Sequence, residues 1–133
     1  MATNLDIITA AYRMGNVIPM TQDPNAELSS SALSALNDML ATWAEDKIDL
    51  GWFPQESLSA EAPLNENAVE GVKANLAIIL VGIARMEPPA WVDRQAHRTY
   101  NTLLRAAVSD ALEPADMTHL PYGTARGVVD ITN

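Results

Sequence analysis

The apolar positions of the chain fall into four helical stripes separated by breaks. Between Asn4 and Met14, Leu5, Ile8 and Tyr12 recur at three- and four-residue intervals, which places them on one helix face. Thr3 and Asp6 have the form of a capping box, and Gly15-Asn16 supplies a stop. Asp23-Pro24 predicts an N-cap followed by proline in the first helical position, and the second helix then runs to about Asp46. Its stripe is Leu33, Leu36, Leu40 and Trp43, with Met39 beside it. The third helix begins near Asn65 or Asn67, with Glu70 as capping partner of Asn67. Val69, Val72, Leu76, Ile79, Ile83 and Met86 form an unbroken repeat of threes and fours, the strongest periodic signal in the chain. Ile78, Leu80 and Val81 extend the apolar character to other faces, which predicts a central helix. Pro88-Pro89 ends it. The fourth helix covers about Ala90 to Leu112, with Trp91 at its start and Tyr100, Leu104, Ala107 and Ala111 on one face; Pro114 stops it. The predicted fold class is all-α: a four-helix bundle-like domain over 1–113 with an extended carboxy-terminal arm over 114–133.

Two segments lack helical period. Lys47 to Asn65 holds Gly51, Pro54 and Pro63, which exclude a long helix, although Leu50-Gly51-Trp52-Phe53 suits a short extended piece. An excursion of 19 residues with two large aromatics is long for a small domain. Trp52 and Phe53 read either as a lid folded back on the core or as anchors for a neighbouring subunit. Glu113 to Asn133 carries Pro114, Pro121, Gly123 and Gly127, and ends in Gly127-Val128-Val129-Asp130-Ile131-Thr132, whose β-branched residues suit a strand. No partner strand is evident within the chain. This tail reads as a frayed terminus or as an arm that orders on a partner by strand addition, and its apolar end favours the arm.

Composition narrows the function classes. At 133 residues the chain is the size of one domain, and with no cysteine it has no disulfide, thiolate zinc site or cysteine nucleophile. Its histidines are two, His97 and His119, far apart, which argues against a His-rich metal cluster. The net charge is −9, which opposes sequence-specific DNA binding, since phosphate affinity comes mainly from Lys and Arg. The charge is also uneven. Residues 21–66 hold nine acids and one base, whereas residues 71–105 hold five bases and two acids. These are two solvated helix faces, or the two halves of a head-to-tail contact between copies, which gives a ring where it closes. In the second reading Glu45, Asp46 and Asp49 stand on the acidic side and Arg94 and Arg98 on the basic side, and they join Trp52 and Phe53 as candidate subunit contacts.

Signals of catalysis are weak, and no enzyme activity, cofactor or metal is expected. The acidic cluster of Glu45, Asp46 and Asp49 has no His or Cys nearby. Ser29-Ser30-Ser31 has neither a His partner nor a G-x-S-x-G elbow, and no glycine-rich phosphate loop occurs. His97 stands at helical spacing from Asp93 and reads as a surface pair. Arg94 and Arg98 are i, i+4 neighbours suited to acidic groups of a partner more than to phosphate. The first residues lack the basic and apolar regions of a signal peptide. Lys73 and Arg85 bracket 11 uncharged residues, short of the roughly 20 that a membrane span requires. No membrane partner and a cytosol-like compartment are therefore expected.

The order of residues resembles a known family. Ala11-Tyr12-Arg13-Met14-Gly15-Asn16-Val17 is followed by a short loop, then by Leu36-Asn37-Asp38-Met39-Leu40, Trp43 and the acidic turn Ala44-Glu45-Asp46-Lys47-Ile48-Asp49-Leu50. This is similar to the head-to-tail adaptor of short-tailed phages, also called the packaged-DNA stabilisation protein or tail accessory factor. The two later helices and Pro121-Tyr122-Gly123 follow the family's order, so the resemblance covers most of the chain. It implies a helical subunit of a twelve-membered ring below the portal, which extends the DNA channel, helps to retain packaged DNA and gives the tail proteins a platform. DNA passes through such a ring without sequence recognition. The arm, through Leu120, Pro121, Tyr122, Gly123, Arg126, Val128, Val129 and Ile131, would dock on the portal protein. The location implied is the head-to-tail junction of the virion, after synthesis in the host cytoplasm. Lys47 departs from the family, standing where a glycine often turns the chain, and the short tail carries Arg126 as its one Lys or Arg. Two rivals remain: a small cytosolic helical module that binds a protein partner, such as a phage regulator or assembly chaperone, and a small hydrolase using the acidic cluster.

Overall fold

A computed structural model describes residues 2–111, which form α1 (Asn4–Met14), α2 (Ala26–Glu45), α3 (Glu66–Ile83) and α4 (Ala90–Ala111). The fold is all-α and bundle-like. Among the described residues there is no named strand, only an isolated antiparallel bridge between Thr3 and Glu61. None of these helices is long and apolar enough to cross a membrane. The residues predicted as an extended arm, 114–133, lie outside the described ones.

The expected central helix is α3, which packs against α1, α2 and α4. Val72, Leu76, Leu80 and Val81 are buried on it, and small residues let its neighbours approach closely. A Cβ at Gly15 would stand 2.5 Å from Val81 Cγ2, and one at Gly71 would stand 3.0 Å from Thr99 Cβ. These two glycines set the α1–α3 and α3–α4 spacing. Asn75 ties α3 to α4 by donating from Nδ2 to the carbonyl oxygens of Gly71 and Ala96. The α2 stripe of Leu33, Leu36, Leu40 and Trp43, with Met39, is buried as its spacing predicts.

Several boundaries differ from the sequence reading, each for a local reason. The N-cap of α2 is Asn25, whose Oδ1 accepts from Leu28 N–H at 2.8 Å, and Asp23 instead pairs with Arg13 at 3.0 Å. The N-cap of α3 is Asn65 without a side-chain cap bond, so the Asn67–Glu70 box does not form, and Glu70 pairs with Lys73. Leu5 is exposed, and Ile7 takes its place in the core beside Ile8. The apolar stripe of α3 outruns its partners: the helix ends at Ile83, and Ile83 and Met86 are both exposed.

Three helices end in the same way, and glycine supplies none of the turns. After α1, α2 and α3 the residues Asn16, Lys47 and Arg85 take positive φ angles of 59°, 71° and 58°. Their N–H groups, and those of the next residue, bond back to carbonyls inside the last turn, the Schellman pattern. At α2 the bonds are Lys47 N–H to Ala44 O and Ile48 N–H to Trp43 O, and Ile48 is buried. A left-handed non-glycine residue costs about 1–2 kcal/mol. Glycine recovers part of this, less its larger loss of chain entropy. Lys47→Gly is therefore expected to raise stability by about 1 kcal/mol, read as a higher urea midpoint at unchanged slope. A lower midpoint would mean that the exposed Lys47 side chain contributes more than its backbone costs.

The 46–65 segment is held down by backbone as well as by side chains. The first N–H groups of α1 have no partner inside the helix. Asn4 N–H donates to Ala60 O and Leu5 N–H to Leu58 O, while Thr3 Oγ1 accepts from Asp6 N–H and completes the predicted capping box with the Asp6 carboxylate. The Thr3 backbone N–H, then its hydroxyl, hold the Asp6 carboxyl below its ordinary pKa. The long loop is thus part of the α1 cap.

Candidate interaction surfaces

The sequence-predicted contact residues sit in three places. Glu45 and Asp46 lie exposed where α2 ends, with Asp49 exposed three residues beyond Asp46. Each carboxylate has a different role. Asp49 accepts from Gly51 N–H at 3.0 Å and shapes the turn in which Gly51 has φ 80°. Asp46 accepts from the Tyr100 hydroxyl at 2.8 Å, across from α4. This bond, and burial second, hold the Tyr100 phenol above its ordinary pKa. Tyr100 also packs edge-to-face on Trp43, with ring centroids 5.3 Å apart. No ion pair involves Glu45 among the described residues. The cluster thus closes α2 against α4 and leaves one carboxylate to solvent.

Trp52 and Phe53 divide the two readings offered for them. Trp52 is half-buried against the core, and its Nε1 donates to Asn37 Oδ1 at 3.2 Å. It is the lid. Phe53 is 61% exposed, as the anchor reading requires. Asn37 holds the segment that carries them: its Oδ1 also accepts from Gln55 N–H and its Nδ2 donates to Gln55 O, both at 2.9 Å. Asn4, fully buried, donates to Gln55 Oε1 and Ser57 O from the other side. No spacing signal points to Asn4, Asn37 and Gln55 as a network, because the polar side chains that hold a loop carry no periodicity.

Arg94 and Arg98 are exposed on α4, and Arg98 donates to Gln95 on its own helix. Asp93 and His97 pair at 3.6 Å on the surface, as their spacing predicts. At the start of α4, Trp91 is 53% exposed and borders a groove of ≈ 450 Å³ with Met14, Met20, Ala10, Arg13 and Asn16. Met20 is 74% exposed. Sequence reasoning placed Trp91 at a helix start without a role; large apolar residues outside every stripe were the available signal. Tyr12 stands apart from these surfaces: burial raises its phenol pKa, and its hydroxyl donates to Leu28 O, joining α1 to α2.

Among the described residues no group of three or more His, Cys, Asp and Glu could hold a metal ion. The proposed portal-contact residues Leu120, Pro121, Tyr122, Gly123, Arg126, Val128, Val129 and Ile131 lie outside the described part. No protein-family model matches the chain, and no curated protein matches it. The described surface thus carries an exposed aromatic on a pinned loop, an apolar groove and charged helix faces.

Proposed function

We propose that the chain is a head-to-tail adaptor of a short-tailed phage. In this reading it is a structural, non-catalytic virion subunit, made in the host cytoplasm and assembled as a ring below the portal, with twelve copies as the family resemblance implies. The ring extends the DNA channel, helps to retain packaged DNA and carries the tail proteins. The observation that supports it is what the family-like block does in the fold. Leu36, Met39, Leu40 and Trp43 are buried in one stripe, Asn37 pins the long loop, and Lys47 takes the left-handed turn where the family often has glycine. The block is thus a set of positions on which the fold depends. The excess of acid suits a passage through which DNA slides, because like charges repel.

The test is light scattering of the chain alone and after mixing with the portal protein of the same genome. The expected result is joining in about a 1:1 subunit ratio, with no joining by a chain lacking residues 120–133 whose helical signal is intact. A full chain that never associates with the portal would move the assignment to the regulator or assembly chaperone. Unchanged binding after the deletion would remove the arm from the mechanism.

A further inference from the structure

Helix α4 carries a face that nothing in the described chain covers. Its inner side packs on α3. On the opposite side Trp91, Arg94, Arg98, Asn101, Arg105 and Val108 recur at intervals of three and four and are all exposed. That spacing is a continuous seam along a helix. Three of the chain's eight Lys and Arg residues stand on it, between an apolar residue at each end. None of the three makes an ion pair among the described residues, in a chain with a net charge of −9. An arginine seam left without acids among the described residues calls for an acidic partner.

The same chain presents one. On α2 the outward positions Glu27, Ser31, Ser34, Asp38, Ala41 and Glu45 follow the same three-four spacing and are all exposed. The side chains between the acids are small, so another helix can approach closely. Asp38 and Glu45 are seven residues apart, as are Arg98 and Arg105, about 10.5 Å along a helix axis. Laid antiparallel, the seams set Asp38 against Arg105 and Glu45 against Arg98. Arg94, one turn further, then faces the acidic turn that follows α2. A parallel arrangement sets Arg94 against Ser34 instead, so the antiparallel one satisfies more charge.

We infer that the arginine seam of α4 docks on the acidic seam of α2 in a second copy of this chain, antiparallel and head to tail. The contact uses different surfaces on the two copies, so each copy keeps one seam open for the next. The inference rests on the adaptor reading only for closure into a ring; the contact itself is argued from the two helix faces. Its strength falls with added salt, since exposed charge pairs are screened.

The experiment is sedimentation of three full-length chains at low salt. One is the wild type. The second carries Arg94→Glu, Arg98→Glu and Arg105→Glu. The third carries Asp38→Arg and Glu45→Arg. All five side chains are exposed, and circular dichroism checks that the helices remain. The wild type is expected to self-associate, and each variant alone to do so at least about tenfold more weakly. Mixing the two variants is expected to restore association, because the reversed α4 of one then meets the reversed α2 of the other. A wild type still monomeric at about 1 mM overturns the inference, and is also the result expected if residues 112–133 cover the seam. A mixture no stronger than its components overturns it as well, and binding of a DNA duplex lost in the arginine variant would assign the seam to nucleic acid. The portal takes no part, so a failed adaptor assignment leaves this result readable.

Discussion

Trp43→Ala is expected to lower the stability of the fold by about 3–5 kcal/mol, the range for removing a buried large aromatic ring. Trp43 is 6% exposed, and its ring meets Tyr100 edge-on at an interplanar angle of 67°. Its backbone carbonyl accepts from Ile48 N–H, which closes the end of α2. The lost ring would leave a void bordered by α2, α3 and Tyr100. Partial collapse there would loosen the Tyr100–Asp46 bond, the side-chain link between the acidic turn and α4. Urea unfolding followed by circular dichroism measures the loss. A value well below 1 kcal/mol would mean that the ring is solvated and that the inward face of α2 is wrongly placed.

Asn37→Ala should cost about 2–4 kcal/mol, and by a different route. One side chain answers Trp52 Nε1, Gln55 N–H and Gln55 O. Removing it strands a backbone donor and acceptor at a residue only 7% exposed, and an unmade buried hydrogen bond costs about 1–3 kcal/mol. The change should also release Trp52, so its fluorescence moves to longer wavelength before the helices melt. A double-mutant cycle with Asn4→Ala should show coupling, because both asparagines hold Gln55. Strict additivity, or a loss of the helical signal together with the fluorescence change, would contradict a pinned loop on an independent bundle.

The helices were legible because burial in a bundle imposes a period on apolar residues, and α1 and α4 needed only local signals to be placed. The errors lie where two local signals competed. Asp23-Pro24 and Asn25 both offer a cap, and tertiary pairing with Arg13 drew Asp23 away. Gly15-Asn16 ends α1 as predicted, but Asn16 takes the left-handed turn while Gly15 is needed for the close approach of Val81. Ile83 and Met86 continue the α3 stripe beyond its cover, and periodicity cannot say where a partner helix stops. The loop network was not legible at all, because Asn4, Asn37 and Gln55 meet across long stretches of chain. Of the candidate contacts, Phe53, Glu45, Arg94 and Arg98 are exposed and Trp52 belongs to the lid. Charge segregation could be read from the chain; which helix face carried it could not.

The loop that completes the front of α1 also sets an order of events in time. The α3–α4 pair is joined by the short connection 84–89 and can dock early, because contacts close in sequence are reached fastest. Asn4 must find Gln55 and Ser57 across 51 and 53 residues, a search whose entropic cost grows with the length of chain enclosed. Until it does, the Asn4 and Leu5 amides of α1 are answered only by water. The cap at the start of α1 is therefore expected to form after the α3–α4 pair docks, and to open before that pair separates. Opening of the cap would free the loop that carries Phe53 while α3 and α4 stay packed.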